Sequence, residues 1–270
     1  MAIPHSKTVV APVVPLAASS ASEVMQSLQN QIRGLETSRR RTDVETVSTG
    51  CSGLDLLLPD GGLARGTIIE WLADGPGSSA AALSLIAARN ACRQPATLVI
   101  LDRQQMFYPP AAAAWGIDLQ HTIVLRPKNL ADQNWALQQA LACPAVAAVW
   151  GAVDEIDELA YRRFQLAAEE SGCLGLFCRP ASVRGQPSWS EIQLAVRPQR
   201  SDPQQTLHRQ RRLQIKLLRC RGGTSGHTID LEINEINGAL REVFKRHETR
   251  TRHLAAQLAH SKIGRRAARA

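Results

Sequence analysis

The stretch ADGPGSSAAALSLIAARNA, residues 73–91, combines residues that can cradle a phosphate with residues that cannot. A phosphate-binding loop of the form G-x-x-x-x-G-K-[ST] offers backbone N–H groups, a lysine for the β- and γ-phosphates and a hydroxyl for Mg²⁺. The candidates for a backbone cradle here are Gly75, Gly77, Ser78 and Ser79. Ala80, Ala81 and Ala82 occupy the positions of the second glycine, the lysine and the hydroxyl residue. The loop therefore keeps the cradle and lacks every group that carries charge or binds metal.

Short apolar runs that alternate with helical stretches must position this loop. The predicted strands cover residues 67–73, 96–102, 122–127, 145–150 and 173–180, and the predicted helices follow Ser79 and cover 111–115, 130–142 and 158–170. Such alternation predicts βαβ units on a parallel sheet that is buried on both faces. A short helix is also expected near residues 54–58, between the turns that glycines and Pro59 mark.

The pattern changes after residue 180. Residues 190–198, 211–220 and 227–234 alternate apolar and polar side chains with no helix between them. This period predicts antiparallel strands that extend one edge of the same sheet. The fold class is therefore α/β, with a mostly parallel sheet flanked by helices and antiparallel strands at its C-terminal edge.

Composition limits the class of protein. The chain has 270 residues, 44% of them apolar, which suits one large domain or two small ones. No apolar run reaches the roughly 18–20 residues that cross a membrane, and Pro12 and Pro15 interrupt the only candidate for a signal peptide. We expect a cytoplasmic protein.

The six cysteines form no C-x-x-C pair and the histidines form no H-E-x-x-H motif, so neither a metal site nor a disulfide scaffold is expected.

Excess positive charge is concentrated at the end of the chain. Residues 241–270 contain nine Lys or Arg and two Glu, a balance of +7 against +8 for the whole chain. Such a segment favours a polyanionic partner such as DNA, although a solvated tail explains the charge equally well. The candidate contacts to DNA or a partner are Arg219 and Arg221, beside turn glycines, and Lys262, Arg265, Arg266 and Arg269 in the tail.

Residues 48–91 resemble the segment that leads into the phosphate-binding loop of RecA-family recombinases. The shared pattern is S-T-G, then L-D, then G-G-L-x-x-G, then I-x-E, then G-P-x-S-S, in the same order and spacing. A predicted amphipathic helix at about 22–35, with Val24, Leu28 and Ile32 at helical spacing, resembles the RecA N-terminal helix. The resemblance implies a RecA-like core.

The resemblance also shows which catalytic residues are missing. The family's catalytic glutamate matches Gln104 in Asp102-Arg103-Gln104, and glutamine cannot accept a proton from an attacking water. The family's metal-binding aspartate at the end of the fourth core strand matches Gly151. The DNA-binding loop expected after the 173–180 strand is short, at residues 179–187. We therefore expect no ATP hydrolysis, no catalytic residue and no cofactor.

Over about residues 45–235 the chain resembles the ImuA family of degenerate RecA-like proteins. The resemblance is carried by LPDGGLARGTIIEWL, by LDRQQMFYPPAAAAWGIDLQHTIVLRPKNLADQNWALQQAL, by YRRFQLAAEESGCLGLFCRP and by LRCRGG. It implies a non-catalytic adaptor in SOS-associated error-prone translesion DNA synthesis. The implied partners are an ImuB-like protein and an error-prone polymerase, with RecA, self-association and DNA as further contacts. The alternatives are a divergent ATP-binding ATPase and an SOS cell-division inhibitor that acts by protein contact.

The predicted organisation is a leader with a short helix (1–42), a RecA-like core (43–240) and a basic tail (241–270). Three features outside the loop keep two interpretations each. Trp115 and Trp135 are core or half-buried residues, or interface anchors. Pro109-Pro110 after Phe107-Tyr108 is a packed turn or a partner surface. The acidic residues of 154–158 form the N-terminal end of a helix, where acids suit the dipole, or a metal site.

Overall fold

The computed structural model describes residues 45–93, 96–200 and 209–243, together with Met25 and Ser27, which are helical. The described residues from Glu45 to Val243 belong to one compact unit. The predicted helix over 22–35 lies outside the described residues except at Met25 and Ser27, and the basic tail beyond Val243 lies outside them entirely. Within the described residues no helix has the length and apolar character needed to cross a membrane.

Nine strands of the described residues form one sheet, and its order confirms the predicted α/β class. Its strands are β3 (Ile68–Ala73), β4 (Thr97–Leu101), β5 (Thr122–Leu125), β6 (Val146–Ala152), β7 (Leu174–Pro180), β8 (Ile192–Pro198), β9 (Gln210–Cys220), β10 (Thr228–Asn234) and β11 (Leu240–Glu242), and the first two strands, β1 (Thr46–Val47) and β2 (Leu63–Ala64), pair with each other. The order in the sheet is β11-β10-β9-β8-β3-β7-β6-β4-β5. The pairs among β5, β4, β6, β7 and β3 are parallel, as buried apolar runs predict.

Helices cover both faces of this sheet. They are α1 (Ser52–Asp55), α2 (Ala80–Ala91), α3 (Pro109–Ala114), α4 (Leu130–Ala142) and α5 (Glu158–Ser171). One apolar core lies between the sheet and α2 and includes Trp71 and Trp150. The other lies beneath α4 and α5 and includes Phe164 and Phe177. Two buried faces explain why the central strands read as continuous apolar runs.

One strand direction differs from the prediction. β8 pairs in parallel with β3 and antiparallel with β9, so the antiparallel part of the sheet begins one strand later than expected. The chain leaves β7 at Pro180 and crosses to the opposite end of β3, where the Glu191 N–H donates to the Ile68 carbonyl (2.8 Å). The alternating pattern of this stretch was taken as the sign of an antiparallel strand with one exposed face. Residues 192–196 are in fact all buried, Gln193 included. Alternation reports polarity and does not report strand direction.

The S-T-G and L-D residues form a local clamp before the sheet. The Asp55 carboxylate accepts hydrogen bonds from the Ser48 hydroxyl (2.6 Å) and from the Thr49 amide and hydroxyl (2.7 and 2.6 Å). Gly50, the residue after Thr49, has a φ of +97°, and a Cβ there would lie 3.0 Å from the Ile86 side chain. This position therefore requires glycine. The clamp is followed by a two-stranded pairing of β1 (Thr46–Val47) with β2 (Leu63–Ala64).

Candidate functional site

The loop that follows β3 contains three residues with a left-handed backbone. Gly75, Gly77 and Ser79 have φ values of +104°, +70° and +58°, so the chain turns repeatedly before α2 begins at Ala80. Alternating right- and left-handed residues can aim successive N–H groups into one concavity. The Ser79 side chain does not cap the helix, while buried Ser78 accepts a long hydrogen bond from the Ala80 amide (3.4 Å). The local sequence predicted this turn correctly.

Two arginines from the C-terminal strands contact this loop. Arg197 in β8 forms an ion pair with Asp74, with its Nη2 2.8 Å from Oδ2. Arg211 in β9 donates from Nη1 to the Gly77 carbonyl (3.1 Å) and pairs with Glu235. The loop is therefore held by groups that lie more than a hundred residues away in sequence. Sequence reasoning missed both arginines, because no local pattern indicates such contacts.

The side chains of the first helical turn supply no polar group to the cradle. Ala80 is buried, Ala82 is half-buried and Ala81 is exposed. One turn further, Ser84 accepts a hydrogen bond from the Trp150 indole (2.8 Å), and both residues are buried. The large ring of Trp150 thus packs beneath α2, near the end of β6.

Gly151 is sterically confined. A Cβ at this position would lie 3.1 Å from the Leu101 Cβ, closer than ordinary contact allows. An aspartate here would require the Leu101 side chain to give way slightly. The position that the RecA resemblance assigns to a metal-binding acid therefore leaves little room for a side chain.

The acidic and amide groups beyond β4 and β6 contact each other. Gln104 donates from Nε2 to the Asp154 carboxylate (3.0 Å), and Arg103 lies 4.0 Å from the same group. Buried Asp102 accepts from the Met106 and Phe107 amides (2.7 and 3.1 Å) and so shapes the loop that contains Gln104. These polar groups already have protein partners.

The acidic residues after β6 serve different purposes. Asp157 caps α5, because its carboxylate accepts from the Ala160 amide (2.8 Å), and Glu158 lies in the first turn. This supports the helix-end interpretation of the cluster. In the part of the chain that the structure describes, no group of three His, Cys, Asp or Glu side chains is placed to hold a metal ion.

A buried ion pair lies beneath the crossing segment that joins β7 to β8. Glu70, with no exposed surface, is 2.6 Å from the Nη1 of Arg179, which is 5% exposed. Gln193, Ser188 and Ser190 also hydrogen-bond to the Glu70 carboxylate, at 2.8, 3.0 and 3.3 Å. Burial alone would raise the pKa of Glu70, but Arg179 and the surrounding donors outweigh burial and lower that pKa. The I-x-E residues of the sequence pattern thus anchor the crossing segment.

The two described candidates for DNA contact lie at the other end of β3 from the loop. Arg219 donates to the Ser188 carbonyl (2.6 Å), and the Arg221 guanidinium lies 5.7 Å from the centre of the Trp189 ring. Arg162 of α5 contacts the same ring at 4.7 Å. Arg219 and Arg221 therefore border the crossing segment. Lys262, Arg265, Arg266 and Arg269 lie outside the described residues.

The aromatic residues divide between structure and surface. Trp115 is half-buried and donates its indole N–H to the Glu235 carbonyl (3.0 Å), which ties α3 to the turn between β10 and β11. Trp135 is 67% exposed on α4, so the expectation of a core or half-buried residue is wrong for it. Tyr108, also 67% exposed, precedes α3, and Pro109 occupies the first helical turn. Trp135 and Tyr108 therefore remain available as partner contacts.

Comparisons with known proteins agree with this architecture. The RecA N-terminal domain family matches residues 24–158, half of the chain. The ImuA protein of Caulobacter vibrioides strain NA1000 / CB15N is 28% identical over 202 residues, which cover 69% of this chain and 83% of that protein. The RecA protein of Clostridium tetani is 31% identical over 100 residues, 37% of this chain and 28% of RecA. The RecA protein of Rhizobium leguminosarum bv. viciae is 32% identical over 111 residues, 40% of this chain and 31% of RecA.

Proposed function

Because this chain belongs to the RecA N-terminal domain family, we propose that it is a RecA-like protein that acts without ATP hydrolysis. Its role is that of an adaptor in SOS-associated error-prone translesion DNA synthesis. The similarity to ImuA, which extends over 69% of the chain, supports this choice among the roles of RecA-like folds.

The state of the loop after β3 is the observation that carries the proposal. ATP hydrolysis in RecA-like sites needs a cation for the phosphates, a metal-binding hydroxyl and an acid that activates water. Ala81 and Ala82 supply neither of the first two, and Gln104 is an amide hydrogen-bonded to Asp154. The contacts of Arg197 with Asp74 and of Arg211 with the Gly77 carbonyl then support the loop independently of phosphate.

Such an adaptor needs surfaces that bind its partners and does not need a catalytic site. The proposed direct partner is an ImuB-like protein, with an error-prone polymerase in the same assembly and with RecA, a second copy of this chain and DNA as further contacts. Exposed Trp135 and Tyr108 are suited to protein contact, since aromatic residues dominate binding energy at interfaces. The basic residues of 241–270 and the arginines beside the crossing segment are suited to phosphate backbone contact.

A phosphate-release assay with the purified full-length chain, with and without single-stranded DNA, tests the absence of catalysis. We expect release at the background rate in both conditions. Turnover above background that disappears on Ser79→Ala and persists in Ser182→Ala, an exposed serine of the crossing segment, would refute the proposal. It would also favour the divergent ATPase.

Capture of purified partners tests the adaptor role separately. The full-length chain should retain an ImuB-like protein, and Trp135→Ala should weaken capture if α4 is the contact. Leu159→Ala, a similarly exposed apolar position on α5, is the matched control. Capture of a cell-division protein without the ImuB-like protein would instead favour the division inhibitor.

A further inference from the structure

A cavity of about 470 Å³ lies at the opposite end of the sheet from the loop after β3. Its walls are the end of α2, the first residues of β4 and the turn that precedes β5. The volume is within the range of small-molecule sites. The RecA resemblance places no residue of the nucleotide site here.

The wall contributed by α2 is rich in hydrogen-bond donors. Arg89, half-buried, directs Nε and Nη2 to the Asn90 side-chain carbonyl at 3.3 and 3.1 Å and donates from Nη1 to the Trp115 carbonyl at 2.8 Å. Arg93 directs Nη2 to the same oxygen at 3.4 Å. An amide oxygen has two lone pairs, so three guanidinium N–H groups exceed what Asn90 can accept. Both arginines line the cavity, and Arg93 makes one hydrogen bond among the described residues.

No carboxylate neutralises these two cations within the described part of the chain. Neither Arg89 nor Arg93 takes part in an ion pair there. Asp118, the acid of the cavity wall, accepts from the Gln120 amide (2.9 Å) and lies 2.7 Å from the His121 ring. Burial and the neighbouring charge of Arg93 lower the pKa of Arg89. The cavity thus keeps two adjacent positive charges that an anion would stabilise.

We propose that this cavity binds a phosphate-bearing small molecule. Guanidinium groups match phosphate oxygens with paired, charge-assisted hydrogen bonds. Exposed Arg93 would supply such a pair, and Arg89 would add the adjacent positive charge. Leu98 and Ile117 form an apolar part of the wall, against which the organic part of the ligand would pack. The site is distinct from the loop after β3, and the proposal holds whether or not the chain acts in translesion synthesis.

Titration calorimetry on the full-length chain tests the proposal with inorganic phosphate, deoxyadenosine 5′-monophosphate, deoxyadenosine and a 5′-phosphorylated oligonucleotide. Both phosphates should bind, and the nucleoside should not. Arg93→Gln should weaken binding about tenfold or more, because it removes a hydrogen bond between charged groups. Arg93 is exposed, so this variant should fold, and Arg163→Gln, an exposed arginine of α5, should bind like the unaltered chain.

Three results would overturn the proposal. The first is that neither phosphate binds. The second is binding that Arg211→Gln weakens and Arg93→Gln does not, which would place the anion at the loop after β3. The third is that only a 5′-phosphorylated oligonucleotide binds, which would make nucleic acid the source of the phosphate.

Discussion

Replacing Glu70 by methionine removes one partner of the buried ion pair and leaves the Arg179 guanidinium without its counter-charge. Both side chains are almost fully enclosed, so water cannot replace the lost partner. Losing one partner of such a pair typically costs about 3–5 kcal/mol. Unfolding free energies are about 5–15 kcal/mol in total, so the variant should lose a large part of its stability. With a urea slope of about 2 kcal/mol per M, the unfolding midpoint should fall by about 2 M.

The double variant Glu70→Met/Arg179→Met separates the ion pair from simple packing. An apolar pair of similar volume leaves no buried charge, so the double variant should be more stable than Glu70→Met alone. Urea unfolding followed by tryptophan fluorescence measures both, with exposed Glu170→Gln as the control. A loss below about 1 kcal/mol for the single variant, or a double variant as unstable as the sum of both single variants, would show that the pair does not stabilise the crossing segment.

The lowered pKa of Glu70 predicts that the stability of the folded chain depends on pH. The folded-state pKa of Glu70 lies below its ordinary value of 4.5, so the unfolded chain takes up the proton first. The contribution of the ionised Glu70 carboxylate to the free energy of unfolding is therefore complete above about pH 4.5. It is lost as the pH falls from there through the folded-state pKa. Glu70→Gln cannot titrate, so its stability should decline less between pH 5 and 3. An unchanged slope in that variant would contradict the assigned shift.

Four further predictions address other parts of the molecule. Trp150→Phe should lose about 1 kcal/mol in urea unfolding, because it removes a buried hydrogen bond, and no loss would refute that role. Gly238→Ala should be more destabilising than Gly185→Ala in urea unfolding. Both glycines have positive φ, which costs an alanine about 1–2 kcal/mol, but only at Gly238 would the new Cβ lie 2.9 Å from the Trp115 ring. Cys173, whose pKa burial raises to about 12, should resist a thiol reagent at pH 8 until the chain unfolds, and rapid native labelling would contradict its burial. Deleting residues 244–270, which leaves β11 intact, should flatten the salt dependence of DNA binding, and an unchanged slope with lost partner capture would make the tail a protein-docking segment.

Elements that depend on local pattern were predicted well. The helix over 130–142 has the predicted bounds, because apolar residues recur at helical spacing and Asn129 caps it through the Asp132 amide. The strands of the core were correct within about two residues, the usual spread at element ends. The turns of the loop after β3 followed from Gly75 and Gly77, which have the positive φ that glycine permits.

Features that depend on distant contacts were not predicted. The parallel pairing of β8 arises because the segment after Pro180 crosses the sheet, and hydrophobic alternation carries no information on that path. The exposure of Trp135 could not be read from its residue type, because a helix surface is defined by what packs on it. The cavity beside Arg89 and Arg93 also joins elements that are separate in sequence.

Contacts from two strands of the sheet support the shape of the loop after β3. In a nucleotide-dependent loop, bound phosphate and metal offset the cost of aligning backbone dipoles. Here the Gly77 carbonyl accepts a hydrogen bond from Arg211 of β9, and Asp74 forms an ion pair with Arg197 of β8. Both strands belong to the part of the sheet that follows the crossing segment, and that segment is anchored by Glu70 and Arg179. The buried ion pair thus supports the loop through β8, so Arg179→Met should also disturb the environment of the loop. If hydrogen exchange at the amides of residues 75–79 stays unchanged in that variant while the protein remains folded, the loop is stabilised by its own turns and not by the strands beside it.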